Sequence, residues 1–234
     1  MNLKKIKTGI KGFDELIHGG FLPGKIILLS GTPGTGKTIF GLQFLYNGAT
    51  QFNEKGMFVS FEENLNNVKS QARKFNWDFD KLEKEGKVIF FCMKATDITK
   101  NTINEIIDIV KRNKIKRLVI DSLSTLTFIT PTTYVDITEV NDFIIKRFIY
   151  SFIAELRNLD GIVTLLISQT TDGQLSRDGV SEFLCDGIIH LIYESIGGPF
   201  SRSLHVRKMR EVNHDEDIHP LEINKTGLIV HKIK

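Results

Sequence analysis

Apolar runs divide the first three quarters of the chain, at residues 25–30, 57–61, 88–92, 117–121 and 162–168. Each is a nearly unbroken stretch of Ile, Val, Leu and Phe, with none of the polar alternation of a half-solvated strand. Runs of this length fit strands buried on both faces, as in a parallel sheet. Helical patterns lie between them. Over residues 102–114, Ile103, Ile106, Ile107 and Val110 recur at i, i+3, i+4 and i+7 on one helix face. Over residues 139–159, Phe143, Ile144, Phe148, Ile149, Phe152, Ile153 and Leu156 form a broad stripe read as core packing. Alternating strands and helices predict an α/β domain with a mostly parallel central sheet and helices on both faces.

The last third changes rhythm. Residues 187–193, 203–210, 218–223 and 228–232 read as short strands joined by polar turns, with 224–227 as a hairpin connection. These strands are expected to extend the same sheet in antiparallel fashion. Residues 1–234 are therefore read as a single domain.

Composition narrows the class. Of 234 residues, 41% are hydrophobic and 25% charged, which excludes a disordered or low-complexity chain. A formal net charge of +3 forecasts no polyanion partner, though it leaves room for a local basic patch. Cys92 and Cys185 lie far apart in apolar stretches and are read as buried core thiols, with no CxxC pair for zinc or redox chemistry. The lysine-rich start is followed by no apolar run, and no run reaches membrane-spanning length. The expectation is a soluble, cytoplasmic protein. Scattered histidines (His205, His214, His219 and His231) show no zinc-site spacing.

The strongest chemical signal is Gly31-Thr32-Pro33-Gly34-Thr35-Gly36-Lys37-Thr38, followed by Ile39. It satisfies GxxxxGK[ST], whose chance occurrence in a chain of this composition is on the order of 0.02. It follows an apolar strand and precedes a helical pattern, the arrangement a phosphate loop requires. Glycines let successive backbone N–H groups converge on phosphate oxygens, and the helix N-terminus adds its positive end. Lys37 supplies a charge to the β- and γ-phosphates, and the Thr38 hydroxyl can ligate Mg²⁺.

Asp121 ends the apolar run 117–121 and is read as the carboxylate of the magnesium shell, acting through water. Glu62 and Glu63 follow the run 57–61. In extended chain they face opposite ways, so one can enter the cleft while the other caps the next helix. Glu62 is the first candidate for the base that activates water and Glu63 the second. Gln169, after the run 162–168, is a candidate γ-phosphate sensor. Arg207, Lys208, Met209 and Arg210 close a strand, and alternation places Lys208 and Arg210 on one face and Arg207 on the other. The residues alone leave two readings open here: charge donors to a phosphoryl group, or a solvated edge strand guarded by charge.

At this point a family resemblance emerges. The opening Thr8-Gly9-Ile10-Lys11-Gly12-Phe13-Asp14-Glu15-Leu16, then Gly19-Gly20-Phe21-Leu22-Pro23-Gly24-Lys25, resembles the entry to a KaiC or RadA-type domain. So do the phosphate loop, Phe61-Glu62-Glu63, residues 72–78, and Lys208-Met209-Arg210 with Asn213-His214. The chain is similar to single-domain archaeal KaiC-like ATPases of the RecA superfamily. The resemblance implies a RecA-type core, Mg²⁺ with ATP or ADP, and a ring, a hexamer, with nucleotide between subunits. It implies Lys37, Thr38, Asp121 and Glu62 acting in cis, Lys208 and Arg210 reaching a neighbour's γ-phosphate, and Lys74 and His214 near the base and ribose. KaiC carries two such domains, where this chain has room for one. Residues 181–186 lack the adjacent hydroxyl pair of the clock protein's phosphorylated domain, so autokinase activity is not expected. Glu211 stands where that family has glycine.

Three function classes remain in view: a ring ATPase, a recombinase-like DNA-binding ATPase, and a nucleotide-gated scaffold with negligible turnover. The two loops that would meet DNA argue against the second. Residues 127–139 contain no Lys or Arg, and residues 170–183 carry only Arg177 against Asp172, Asp178 and Glu182. The ATPase is the expected function.

Overall fold

The computed structural model describes residues 4–99, 101–128, 138–170, 173–194 and 201–233. A short helix α1 (Phe13–Leu16) leads into β1 (Ile26–Gly31) and α2 (Lys37–Gln51). Then come β2 (Gly56–Ser60), α3 (Leu65–Arg73), α4 (Phe79–Lys84), β3 (Val88–Cys92), α5 (Thr102–Asn113), β4 (Arg117–Asp121) and α6 (Leu123–Phe128). After α7 (Thr138–Arg157), β5 (Val163–Gln169) and α8 (Ser181–Leu184), four strands finish the chain: β6 (Gly187–Tyr193), β7 (Arg202–Met209), β8 (Ile218–Asn224) and β9 (Gly227–Val230). The sheet order is β3-β2-β4-β5-β1-β6-β7-β8-β9. Pairing is parallel from β3 through β6 and antiparallel from β6 onward, the architecture expected from the sequence. Among the described residues no helix is long and apolar enough to cross a membrane.

The parallel strands bury both faces, which is why their sequences run apolar without alternation. Ile27 and Leu29 of β1 enter one core with α1, α2 and the α3–α4 pair, while Ile26 and Leu28 enter a second core beneath α5, α6 and α7. Residues 72–78 form an aromatic pile at the α3–α4 turn. Phe75 stacks on Trp77 at 4.7 Å between ring centroids, and Trp77 on Tyr46 of α2 at 5.7 Å.

Three sequence expectations need correction. Ile149, Phe152, Ile153 and Leu156 of α7 are buried, but Phe143 and Ile144 at its other end are exposed, so the stripe covers the core over only part of its length. Cys185 is buried, whereas Cys92 on the edge strand β3 is only half-buried. The strand carrying 207–210 does not alternate throughout. Its register with β6 shifts between Ile188 and Ile189, leaving Arg207 as an extra residue. A bulge of this kind resets the phase. Val206 and Met209 therefore share one core, and Arg207 and Lys208 line the same hollow instead of opposite faces.

Arg117, at the start of β4, is fully buried. Its guanidinium pairs with Glu54 at 2.6 Å, donates to the carbonyls of Phe44 and Lys7 at 2.8 and 2.7 Å, and lies over the Phe44 ring. This ties the N-terminal segment, α2 and β4 together. Gly48 of α2 makes room for it, since a Cβ there would lie 2.4 Å from the Arg117 Cδ and Nε. Helix propensity alone favours Gly48→Ala by about 1 kcal/mol. Overpacking against a pinned, buried cation costs about 1–3 kcal/mol and weakens an ion pair whose rupture costs about 3–5. The clash is expected to win, lowering the melting temperature by about 4–10 °C. A thermal melt showing Gly48→Ala to be stabilised would refute this account of Arg117.

Candidate functional site

β1, β4 and β2 end together at one edge of the sheet. Ser60 is in register with Asp121, and Gly31 with Gln169. The chain leaves β1 into the glycine loop and enters α2 through Gly36, whose φ of 102° is left-handed and whose Cβ position lies 3.1 Å from Ile223. That backbone suits glycine alone. Lys37 folds back over the loop, its Nζ donating to the carbonyls of Gly31 and Thr32, each at 2.8 Å. Thr35 shapes the loop from inside by donating to the Thr32 carbonyl.

Thr38, one residue into α2, donates to Asp121 Oδ2 at 2.7 Å. The β2–β4 ladder continues one step past the strands, with Phe61 N donating to the Asp121 carbonyl. That step brings Glu62 over the start of α6. Glu62 Oε1 accepts from the hydroxyls of Ser122 and Thr125, and its Oε2 accepts from Gln169 Nε2 at 3.0 Å. Gln169 is itself fixed by its N–H, which donates to Ser124 Oγ at 2.8 Å. Glu63 turns away. Its N–H donates to Ser60 Oγ, and its carboxylate accepts from Gln71 of α3 at 2.6 Å. Asn64 caps α3, accepting from Asn67 N at 3.0 Å, so the cap expected of one of the two glutamates falls to the next residue.

These groups line a cleft of about 320 Å³. Pro33, Gly34, Gly36, Lys37, Thr38 and Ile39 form one wall, and Glu62, Glu63, Asp121 and Gln169 another. Burial pushes the Asp121 carboxyl up to about 6, helped by the nearby Glu62 and Glu63 charges and opposed by the Thr38 hydrogen bond. Burial pulls the Lys37 ammonium down to about 8, with Asp121 and Glu62 opposing. Charge is costly on both walls, so the cleft favours a ligand bringing anionic oxygens to Lys37 and a cation to Asp121. Thr38 and Asp121 offer the hard oxygens Mg²⁺ prefers, in the small number it takes when phosphates complete its shell.

Sequence reading missed several contributors. Ser122, Thr125 and Gln71 orient the two glutamates, and Ser122 had only its place beside Asp121 to mark it. Arg202, at the start of β7, lines the cleft, donates from Nε to the Gly34 carbonyl at 3.0 Å and lies over the Tyr193 ring. Nothing in its neighbourhood along the chain links it to the phosphate loop. Other expected residues fall elsewhere. Lys74 is exposed at the end of α3, and His214 lies beside the Val212 carbonyl; neither lines the cleft.

Lys208 and Arg210 sit near the beginning of β6, whereas the phosphate loop follows the end of the parallel neighbour β1. Lys208 Nζ donates to the carbonyls of Glu182 and Cys185 at 2.9 and 2.7 Å. Arg210 donates to the Phe183 carbonyl at 3.1 Å. The segment 127–139 expected to face DNA falls largely outside the described residues, as do residues 171–172 of the second loop.

The family description "ATPase: KaiC" matches residues 6–234. A UPF0273 protein of Methanocaldococcus jannaschii is 36% identical over 249 residues, covering 99% of this chain and 98% of that one. The circadian clock oscillator protein KaiC of Synechococcus elongatus is 32% identical over 97% of this chain, which spans only 44% of the clock protein. Among solved structures, a KaiC-like protein from the hyperthermophilic archaeon Pyrococcus horikoshii superposes with a TM-score of 0.85 at 35% identity, covering 98% of this chain and all of that one. With a nucleotide-type phosphate loop, a mostly parallel sheet and a family match along almost its whole length, the chain belongs to the KaiC ATPase family.

Proposed function

We propose that the protein is a Mg²⁺-dependent ATP hydrolase working as a ring of identical subunits, a hexamer by family resemblance, with each nucleotide site completed by Lys208 and Arg210 of the adjacent copy. The observation that carries this reading is the convergence of Lys37, Thr38, Asp121, Glu62 and Gln169 on one cleft. The loop N–H groups and Lys37 bind the β- and γ-phosphates. Thr38 and Asp121 hold Mg²⁺, which when bound neutralises phosphate oxygens. Glu62 accepts the proton of the water that attacks the γ-phosphorus, and the Gln169 amide keeps Glu62 and that water aligned. ADP and phosphate leave, and the change in charge at the interface switches the ring.

The test is steady-state ATP hydrolysis with Lys37→Ala as control. Turnover is expected to disappear in that variant and on chelation of Mg²⁺ in the parent protein. Equal turnover in parent and variant would overturn the assignment, and ATP binding without turnover would favour a nucleotide-gated scaffold. Arg202→Ala is expected to weaken ATP binding by about tenfold or more, the size of a lost charge-assisted contact. Equilibrium titration checks it.

A further inference from the structure

The edge of the sheet opposite the nucleotide cleft holds a second concentration of charge. Lys4, Lys55, Lys114 and Lys116 line a hollow of about 470 Å³, together with Ile6, Pro23, Asn53, Glu54 and Gly161. Lys55 and Lys116 immediately precede Gly56 and Arg117, which are partners on the parallel strands β2 and β4. The Lys55 carbonyl accepts from the N–H groups of both Lys116 and Arg117, which fixes the two lysines side by side. Lys114 caps the end of α5 at a left-handed φ of 54°. Among the described residues none of these four lysines has a carboxylate partner. Glu54, the one acid in the lining, is taken up by Arg117.

We infer that this hollow is a binding site for a compact ligand carrying clustered phosphates. Four like charges gathered around one concavity repel one another and concentrate anions there. Lysines are point donors suited to phosphate, and the lining contains no arginine to grip a carboxylate in bidentate fashion. It also contains no aromatic ring on which a nucleic-acid base would stack. The site is independent of the phosphate loop, which follows the opposite end of β1 in the same sheet.

Inorganic triphosphate is the probe, titrated calorimetrically at low salt. The parent protein is expected to bind two equivalents, and Lys37→Ala one. Lys55→Gln combined with Lys116→Gln is expected to leave the phosphate-loop equivalent intact and weaken the other by about tenfold or more. That double variant should keep the parent's melting temperature and ATP turnover, so loss of binding will not be misread as misfolding. A single equivalent in the parent, lost entirely in Lys37→Ala, would overturn the inference. So would affinity unchanged by the double substitution. Single-stranded DNA competing more strongly as its length grows would likewise overturn it, in favour of an extended polyanion track.

Discussion

Glu62→Gln is expected to lower the rate of ATP cleavage by about 10²–10⁴-fold while leaving ATP affinity nearly unchanged. The substitution is close to isosteric and its surroundings tolerate an amide. The carbonyl oxygen of the new side chain can accept from Ser122 and Thr125 as Oε1 does now. Gln169 can rotate its own amide to present an oxygen to the new NH₂ group. What is lost is the capacity to take a proton. Glu63→Gln supplies the contrast. Glu63 also reaches the cleft, but its carboxylate is turned to Gln71. Its substitution is expected to change the rate far less. Single-turnover cleavage and equilibrium binding of ATP, measured on both variants, separate chemistry from affinity. A large loss in Glu63→Gln with none in Glu62→Gln would move the base to Glu63.

The contrast between the glutamates marks how far sequence carries. The parallel core was legible because burial on both faces leaves a signature that needs no partner: β3 and β4 match their apolar runs to the residue, and β1, β2 and β5 to within one. Thr38 was legible from the GxxxxGK[ST] spacing, and Asp121 because it closes such a run. Features made by pairing were not. The extra residue at Arg207 is a property of β7 against β6, and a strict period of two through 207–210 put Arg207 on the wrong face. Arg202 reaches the Gly34 carbonyl only because the antiparallel return of β7 brings it back over the loop. Phe143 and Ile144 show the converse limit. Helical spacing says which residues share a face, but not how far along the helix the core extends.

Lys208→Ala combined with Arg210→Ala is expected to lower ATP turnover by about 10³–10⁵-fold, the range for loss of cations supplied to a phosphoryl group from a neighbour. Mixing that variant with Lys37→Ala is expected to restore activity that neither has alone. In the single chain Lys208 rests on carbonyls around α8, and Arg210 on the Phe183 carbonyl and on Asp186 at 3.7 Å, near the start of β6 and away from their own phosphate loop. Burial and the nearby Arg210 charge lower the Lys208 pKa. Neutral carbonyls therefore hold an ammonium that an anionic phosphate would hold more strongly. If the acceptor is the next subunit's γ-phosphate, each site draws its loop from one copy and its cations from another. In a randomly mixed ring from equal amounts of the two variants, about one interface in four pairs an intact loop with intact cations. Turnover should approach about a quarter of the parent rate, and mass measurement under the same conditions would establish that mixed rings formed. Mixed rings without restored turnover would place the cations' action within one chain. Restoration requires that Lys208 leave α8, so the same experiment would make the 182–185 carbonyls the part of each subunit that registers its neighbour's nucleotide.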